Sequence, residues 1–328
     1  MWTLALGTPV ALAVWAWLVM IRMPGSSWDG PLPALTGAQA EAEERLRRDV
    51  HVLATDIGER NFRSYDALER AAGYIEEELA AAGHAPRRQV YAIGDREYAN
   101  LEVEIEGTRR ASEIVVVGAH YDSALGSPGA NDNGTGVAGV LDLARRMHGR
   151  RPARTLRLVA FVNEEMPHFA NGTMGSQAYA RRASGRGENV VSMISLETIG
   201  YYSERPGSQQ YPFPIGLLYP SKGDFLGFVG NVSSRELVRR AIGAFRTHAR
   251  FPSEGAALPS GVPGVGWSDH ASFWEQGYPA IMLTDTAPFR YPHYHTREDT
   301  PDKVDYARLA RVVDGIEAIV LDLVEGAR

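Results

Sequence analysis

The sequence predicts an α/β fold with three layers, α/β/α, built on a central mixed, mostly parallel sheet and preceded by an N-terminal transmembrane helix. Three observations carry that expectation. The runs "EIVVVGAH" and "TLRLVAFVNEE" are short, β-branched and nearly continuous in apolar residues, as interior strands covered on both faces are. Between them "GTGVAGVLDLARRMHG" has helical spacing, and a strand, helix, strand succession implies parallel pairing. Finally, Thr3 to Ile21 carries no charge and is long enough to cross a bilayer as a helix, with Trp15 and Trp17 toward one end.

Taken in order, residues 1–22 are read as a membrane anchor, because a cleaved signal would need a basic start and a small-residue cleavage site that "IRMPGSSWDG" does not offer. Arg22 is the only basic residue close to the run and the free amino terminus balances it, so flanking charge does not set the orientation; the domain is placed outside the cytoplasm as an expectation only. Residues 23–37, rich in Pro, Gly and Ser, read as a linker, and 38–328 as one folded domain. Within it "AQAEAEERLRRDVHVLA" and "SYDALERAAGYIEEELAAAG" have helical spacing, with Gly83 as a stop. "NLEVEIEG" alternates like a half-exposed strand. "VVSMISLETIG", "PIGLLYP" and "PAIMLTD" are further expected strands; "SRELVRRAIGAFRTHA" and "YARLARVVDGIEAIVLDLV" are expected amphipathic helices. Tyr201 to Pro214 and Phe251 to Trp267 read as long loops and as candidates for a substrate-binding rim.

Composition narrows the chemistry. A net charge of −6 without a basic run offers nucleic acid no footprint. The absence of cysteine removes thiol catalysis and zinc-thiolate sites, so any metal must sit on His and carboxylates. Those residues recur at strand ends: His120 and Asp122 close one strand, Glu164 and Glu165 the next, Glu197 a third, and His293 and His295 follow "AIMLTD" at loop distance. In an open α/β sheet, sites form at the carboxyl ends of strands. Each piece alone has a plain structural reading, for example Asp132 in "GANDNGTG" as a turn or helix-cap residue. Adjacent Glu164 and Glu165 can point apart, one to a metal and one free to take a proton. Asp122 is expected to accept from the free ring nitrogen of His120 and fix its tautomer.

The ordered set "AHYDS", "GANDNGTG", "FVNEE", "MGSQAYA", "LETIG", "SDHASF" and "YHTREDTPD" resembles the di-zinc aminopeptidases of metallopeptidase family 28, whose wider relatives include glutamate carboxypeptidase, the transferrin receptor and glutaminyl cyclase. The resemblance implies the zinc exopeptidase fold and two Zn2+ ions. It implies that His120 and Glu197 hold one metal and Glu165 and His295 the other, with Asp132 bridging and Glu164 as general base. It favours His295 over His293, makes Tyr294 a donor to the oxyanion, gives Asp269 a supporting role beside the ligands, and implies a cis Asp132–Asn133 peptide. His270 is expected at the surface or as a cap, and His168 as a loop residue within an inserted stretch, "MPHFANGTMGSQAYA". Glu197 departs from the Asp that related aminopeptidases often carry. The implied function is an aminopeptidase acting on a peptide or small amide, with Glu164 in wet, hydrogen-bonded surroundings. The alternatives are a carboxypeptidase, a glutaminyl cyclase, whose single zinc needs fewer ligands, and a non-catalytic ectodomain of the transferrin-receptor kind.

Overall fold

A computed structural model describes residues 14–326. Eight strands form one mixed sheet: β1 (Arg87–Ile93), β2 (Arg96–Ile105), β3 (Arg110–His120), β4 (Arg154–Phe161), β5 (Asn189–Glu197), β6 (Leu226–Asn231), β7 (Ser253–Leu258) and β8 (Ala280–Thr284), in the order β1-β2-β4-β3-β5-β8-β6-β7. The central four, β4, β3, β5 and β8, run parallel, while β2 and β6 pair antiparallel on either side. The longer helices are α1 (Gly37–His51), α2 (Tyr65–Ala81), α3 (Gly136–Met147), α4 (Gly175–Gly185), α5 (Arg235–His248) and α6 (Tyr306–Glu325). Thr36 and Gln39 form a reciprocal cap at the start of α1, and Asp305 caps Arg308 N in α6 at 3.0 Å.

Strand alternation sorts the core into two layers. Val115, Val117 and Ala119 join the large cluster under α1, α2, α3, α5 and α6, whereas Ile114 and Val116 face a smaller cluster built on Tyr179 and Ala180 of α4 and on Phe273. That second layer reaches Ala280 at the start of β8 but not β6 or β7, where loops line the face instead.

Several expected elements differ. "PIGLLYP" is a turn of 3-10 helix at Ile215–Leu217, leaving Leu217 and Leu218 exposed. The expected loop from Phe251 to Trp267 contains β7, and β1 and β6 carry no strand signal that the pattern reading caught. β2 is buried along most of its length rather than half exposed, and Glu102 on it receives hydrogen bonds from Tyr179 Oη and Arg182. Residues 23–37 are docked: Ser27 Oγ accepts from Ser253 N at 2.9 Å on the edge strand, and Arg246 donates to Pro24 O at 3.0 Å. Residues 1–13, most of the expected anchor, lie outside the described residues. Residues 14–21 are helical, and among the described residues no helix is long and apolar enough to cross a membrane.

Candidate active site and metal centre

β3 ends in His120, β5 in Glu197, and the turn after β4 supplies Glu164 and Glu165, so the parallel strands deliver their polar ends to one rim of the sheet. Asp132 arrives on the segment Ala130–Thr135 leading into α3. The helix starts so close to β5 that a Cβ on Gly136 would lie 2.5 Å from Leu196 O and 2.3 Å from Asn133 Oδ1. Asn133 ties the same strand end, donating to Leu196 O at 2.8 Å and accepting from Thr198 N at 3.1 Å. The Asp132–Asn133 peptide is cis.

Two donor sets result, and they share Asp132. His120 Nε2 lies 3.4 Å from Asp132 Oδ1 and 3.3 Å from Glu197 Oε2; His295 Nε2 lies 3.0 Å from Asp132 Oδ2 and 3.2 Å from Glu165 Oε1. A tetrahedral zinc ion with bonds of about 2.0–2.1 Å holds its ligand atoms about 3.3 Å apart, close to the distance from each imidazole to its two carboxylate partners. His120 Nε2, Asp132 Oδ2 and Glu165 Oε1 are buried without a hydrogen-bond partner, the condition of atoms that face a cation. His293 belongs to neither set. Glu164 stands outside both, with Oε2 3.9 Å from His120 Nε2. Non-glycine residues with left-handed backbone occur at Asn163, Thr198 and His295, beside or at these side chains, as strained backbone does at functional sites.

Asp122 acts differently from the expectation. His120 Nδ1 lies 3.1 Å from the Asp122 backbone carbonyl, the closer acceptor, since the carboxylate is 3.5 Å away. That carboxylate instead accepts from Glu164 N and Glu165 N, each at 3.0 Å, and so holds both acids by their backbone. Ser268 Oγ donates to Glu197 Oε2 at 2.7 Å. Asp269 is fully buried with neither carboxylate oxygen hydrogen-bonded, and burial pushes it up to about 7 while His120 and Ser176 pull it down. His270 is not at the surface: its Nε2 is 2.8 Å from Val265 O, pinning the loop before it. His168 is also buried, 3.0 Å from Thr173 Oγ1 and edge-on to Phe62 and Tyr98. Tyr294 stacks on His295 at 3.8 Å between centroids.

The surroundings of Glu164 are dry rather than wet. Burial, then Glu197, Glu165 and Asp269, push its carboxyl well above the usual range against the pull of His120. Burial would lower His120, yet Glu197, Asp122 and Asp132 outweigh it and hold the imidazole well above its usual value; His295 is carried to about 10 by Asp132 and Glu165 in the same way. Burial and Asp132 raise Glu165 to about 7, against His295. A ligating imidazole must be neutral, so a cation displaces these protons. Apparent zinc affinity is therefore expected to rise with pH throughout the range below about 10, by up to about tenfold per proton displaced per pH unit, and most steeply below about 7 where Glu165 also carries a proton. Chelator competition at about pH 6 and pH 8 measures this; a flat profile would mean that the imidazoles are already neutral in the ion-free protein.

Three further residues build the site's frame. Asp299 accepts from Asn131 N at 2.8 Å, Asp132 N at 3.1 Å and Tyr291 Oη at 2.8 Å. Asp285 takes Asn131 Nδ2 at 2.9 Å and Tyr201 N at 2.8 Å. Arg60, fully buried, donates to the carbonyls of Tyr121, Leu53, Gly58, Pro128 and Gly129.

A mixed sheet with His and carboxylate donors gathered at its strand ends is the arrangement of a metal-dependent α/β enzyme. The chain belongs to Peptidase family M28, whose model matches residues 100–320. It is similar to the protein YfbL of Escherichia coli (strain K12), 36% identical over 298 residues that cover 88% of this chain and 90% of that one. It is also similar to leucine aminopeptidase 1 of Arthroderma otae, 26% identical over 303 residues, 86% of this chain and 74% of that one. Among solved structures, BSAP, a zinc aminopeptidase from Bacillus subtilis, superposes with a TM-score of 0.68 at 17% identity, covering 90% of this chain and 98% of that one, a likeness of fold.

Proposed function

We propose that this peptidase is a two-zinc aminopeptidase that removes N-terminal residues from peptides. The observation that carries the reading is the pair of donor sets sharing the Asp132 carboxylate. His120, Asp132 and Glu197 would hold one ion, and Asp132, Glu165 and His295 the other; imidazole and carboxylate donors suit zinc. When bound, two such ions polarise the scissile carbonyl and bring a shared water toward neutrality in pKa.

The chain's own residues then divide the work. Glu164, free of both sets, takes the proton of the attacking water and returns it to the leaving amine. Tyr294 donates to the oxyanion; burial raises its pKa well above the usual phenol range, so it keeps its proton for that bond. Asp122 keeps Glu164 and Glu165 apart through their backbone amides. With water as the nucleophile, no covalent enzyme intermediate forms. Residues 1–22 are read as a single-pass anchor that leaves the domain outside the cytoplasm, on the strength of the uncharged run Thr3 to Ile21; carbonate extraction and protease accessibility of the full chain test that.

Metal content of the purified protein, measured beside hydrolysis of peptides with free and blocked N-termini, tests the catalytic reading. The expected result is two zinc per chain with turnover of free N-termini only. Turnover confined to blocked substrates would move the activity to carboxypeptidase or deacylase chemistry, cyclisation of N-terminal glutamine to a cyclase, and a metal-free, inactive protein would leave a binding ectodomain.

A further inference from the structure

The part of the sheet left without a helical second layer opens into a cavity that begins at the metal centre: Glu197 and Tyr294 form one end of its wall. Its floor can be followed strand by strand. Glu197 on β5 pairs with Thr284 on β8, Thr284 with Gly227 on β6, and Gly227 with Glu254 on the edge strand β7. These four residues form one row across the sheet. With neighbouring strands about 4.8 Å apart, the row spans about 14 Å between the backbones of its two acids.

Glu254 faces the cavity. On β7 the residues at 253, 255 and 257 turn toward α5, where a Cβ on Gly255 would meet Ile242 at 3.0 Å, so Glu254, Ala256 and Leu258 stand on the opposite face, and all three line the cavity. Between the acids the row itself holds Gly227 and Thr284, and the Thr286 side chain, which a Cβ on Gly227 would meet at 3.3 Å, borders the trench with Gln209. Its walls are apolar, with Phe289 and Trp267 stacked at 6.2 Å on one side and Tyr211 and Tyr219 stacked at 5.8 Å near the far end.

At the far end Glu254 and Arg246 are each other's main charge partners, with no direct ion pair between them among the described residues. Glu254 is half-buried and no hydrogen bond acts on its carboxylate among the described residues; burial and Asp224 push it up, and Arg246 pulls it down. Arg246 is itself occupied with Ser253 Oγ at 3.0 Å, Ser253 O at 2.7 Å and Pro24 O at 3.0 Å. A carboxylate in that position gains from a cation delivered through an apolar channel, and the two tyrosine rings add attraction for one.

We propose that this trench is the pocket for the side chain of the residue released, and that it selects a long aliphatic stem ending in a cation, lysine or arginine, with Glu254 as the specificity-determining residue. Lysine and arginine are the side chains whose long flexible stems end in a cation, and Glu254 stands at the far end of the row they would enter. The inference rests on the aminopeptidase reading. It goes beyond that reading in naming which N-terminal residues are taken.

Norleucine is the neutral match for lysine in stem length, so the test compares kcat/KM for lysyl, arginyl, norleucyl and leucyl amides on the zinc-loaded full chain, wild type and Glu254→Gln, with melting curves to check folding. The expected result is lysine over norleucine by about tenfold or more, a ratio that Glu254→Gln lowers by about tenfold while the norleucine value stays within about twofold. Norleucine turnover equal to or above lysine in the wild type, or a ratio unmoved by Glu254→Gln, overturns the inference while leaving the aminopeptidase standing. No turnover of any free amino-acid amide removes the aminopeptidase reading and the inference with it.

Discussion

Glu164→Gln is expected to lower kcat by about 10²- to 10⁴-fold with zinc content and KM nearly unchanged. The substitution keeps the side chain's shape and its backbone bond to Asp122 Oδ1, so the turn that presents it survives. What it removes is the ability to accept a proton. Glu164 lies outside both donor sets, whereas its neighbour Glu165 lies 3.2 Å from His295 Nε2. Burial and neighbouring carboxylates push Glu164 well above the usual carboxylate range, the direction a group needs if it is to take and return one proton near neutral pH. Glu165→Gln should fail differently, by losing zinc before losing kcat. Element analysis with steady-state kinetics on both variants separates the roles. Activity of Glu164→Gln within about threefold of wild type would remove it as the base, and loss of zinc on that substitution would make it a ligand.

The division of labour between adjacent acids was legible in the sequence because catalysis imposes residue types that packing alone does not. A buried strand gains nothing by ending in His120 or Glu197, so the departure from apolar pattern stands out. The central strands were legible for the converse reason, being β-branched runs buried on both faces. β6 and β7 were not: "LGFVGN" and "SEGAAL" are short and small, because Gly227 floors the cavity and Gly255 lies against Ile242 and Met23. The same economy of side-chain volume that makes the trench open erases the strand signal. "PIGLLYP" errs the other way, apolar enough for a strand yet bounded by prolines and turned outward. The burial of Glu164 has no local signature, because burial depends on what the rest of the chain lays over a loop. Arg60 and Asp299 escaped notice for a related reason. Each acts on backbone groups far along the chain, and a residue that binds carbonyls or amides leaves no complementary residue type for a reader to find.

Arg60→Met is accordingly expected to cost about 3–5 kcal/mol of unfolding free energy, more than a substitution remote from chemistry ordinarily does. The guanidinium is wholly enclosed, and burial lowers its pKa to about 10 against the charges of Asp299, Asp122, Asp132 and Glu165. Its donors reach Tyr121 O at 2.7 Å and Gly129 O at 2.8 Å, the two ends of the segment between His120 and Asp132, and also Leu53 and Gly58 on the approach to α2. Methionine fills much of the volume but leaves those buried carbonyls without donors, and each such loss carries its own desolvation cost. Arg60→Lys tests whether charge or geometry is responsible. One ammonium with three donors cannot reproduce a planar fork spread over five carbonyls, so lysine should recover only a minor part of the loss. Denaturant unfolding of the ion-free protein measures both variants. If lysine restores wild-type stability, the fork is irrelevant and Arg60 serves only as a counter-charge to the carboxylates; if neither variant destabilises, the segment from Tyr121 to Gly129 holds its shape without it, and the frame of the metal centre rests on Asp299, Asp285, Asp122 and Asn133.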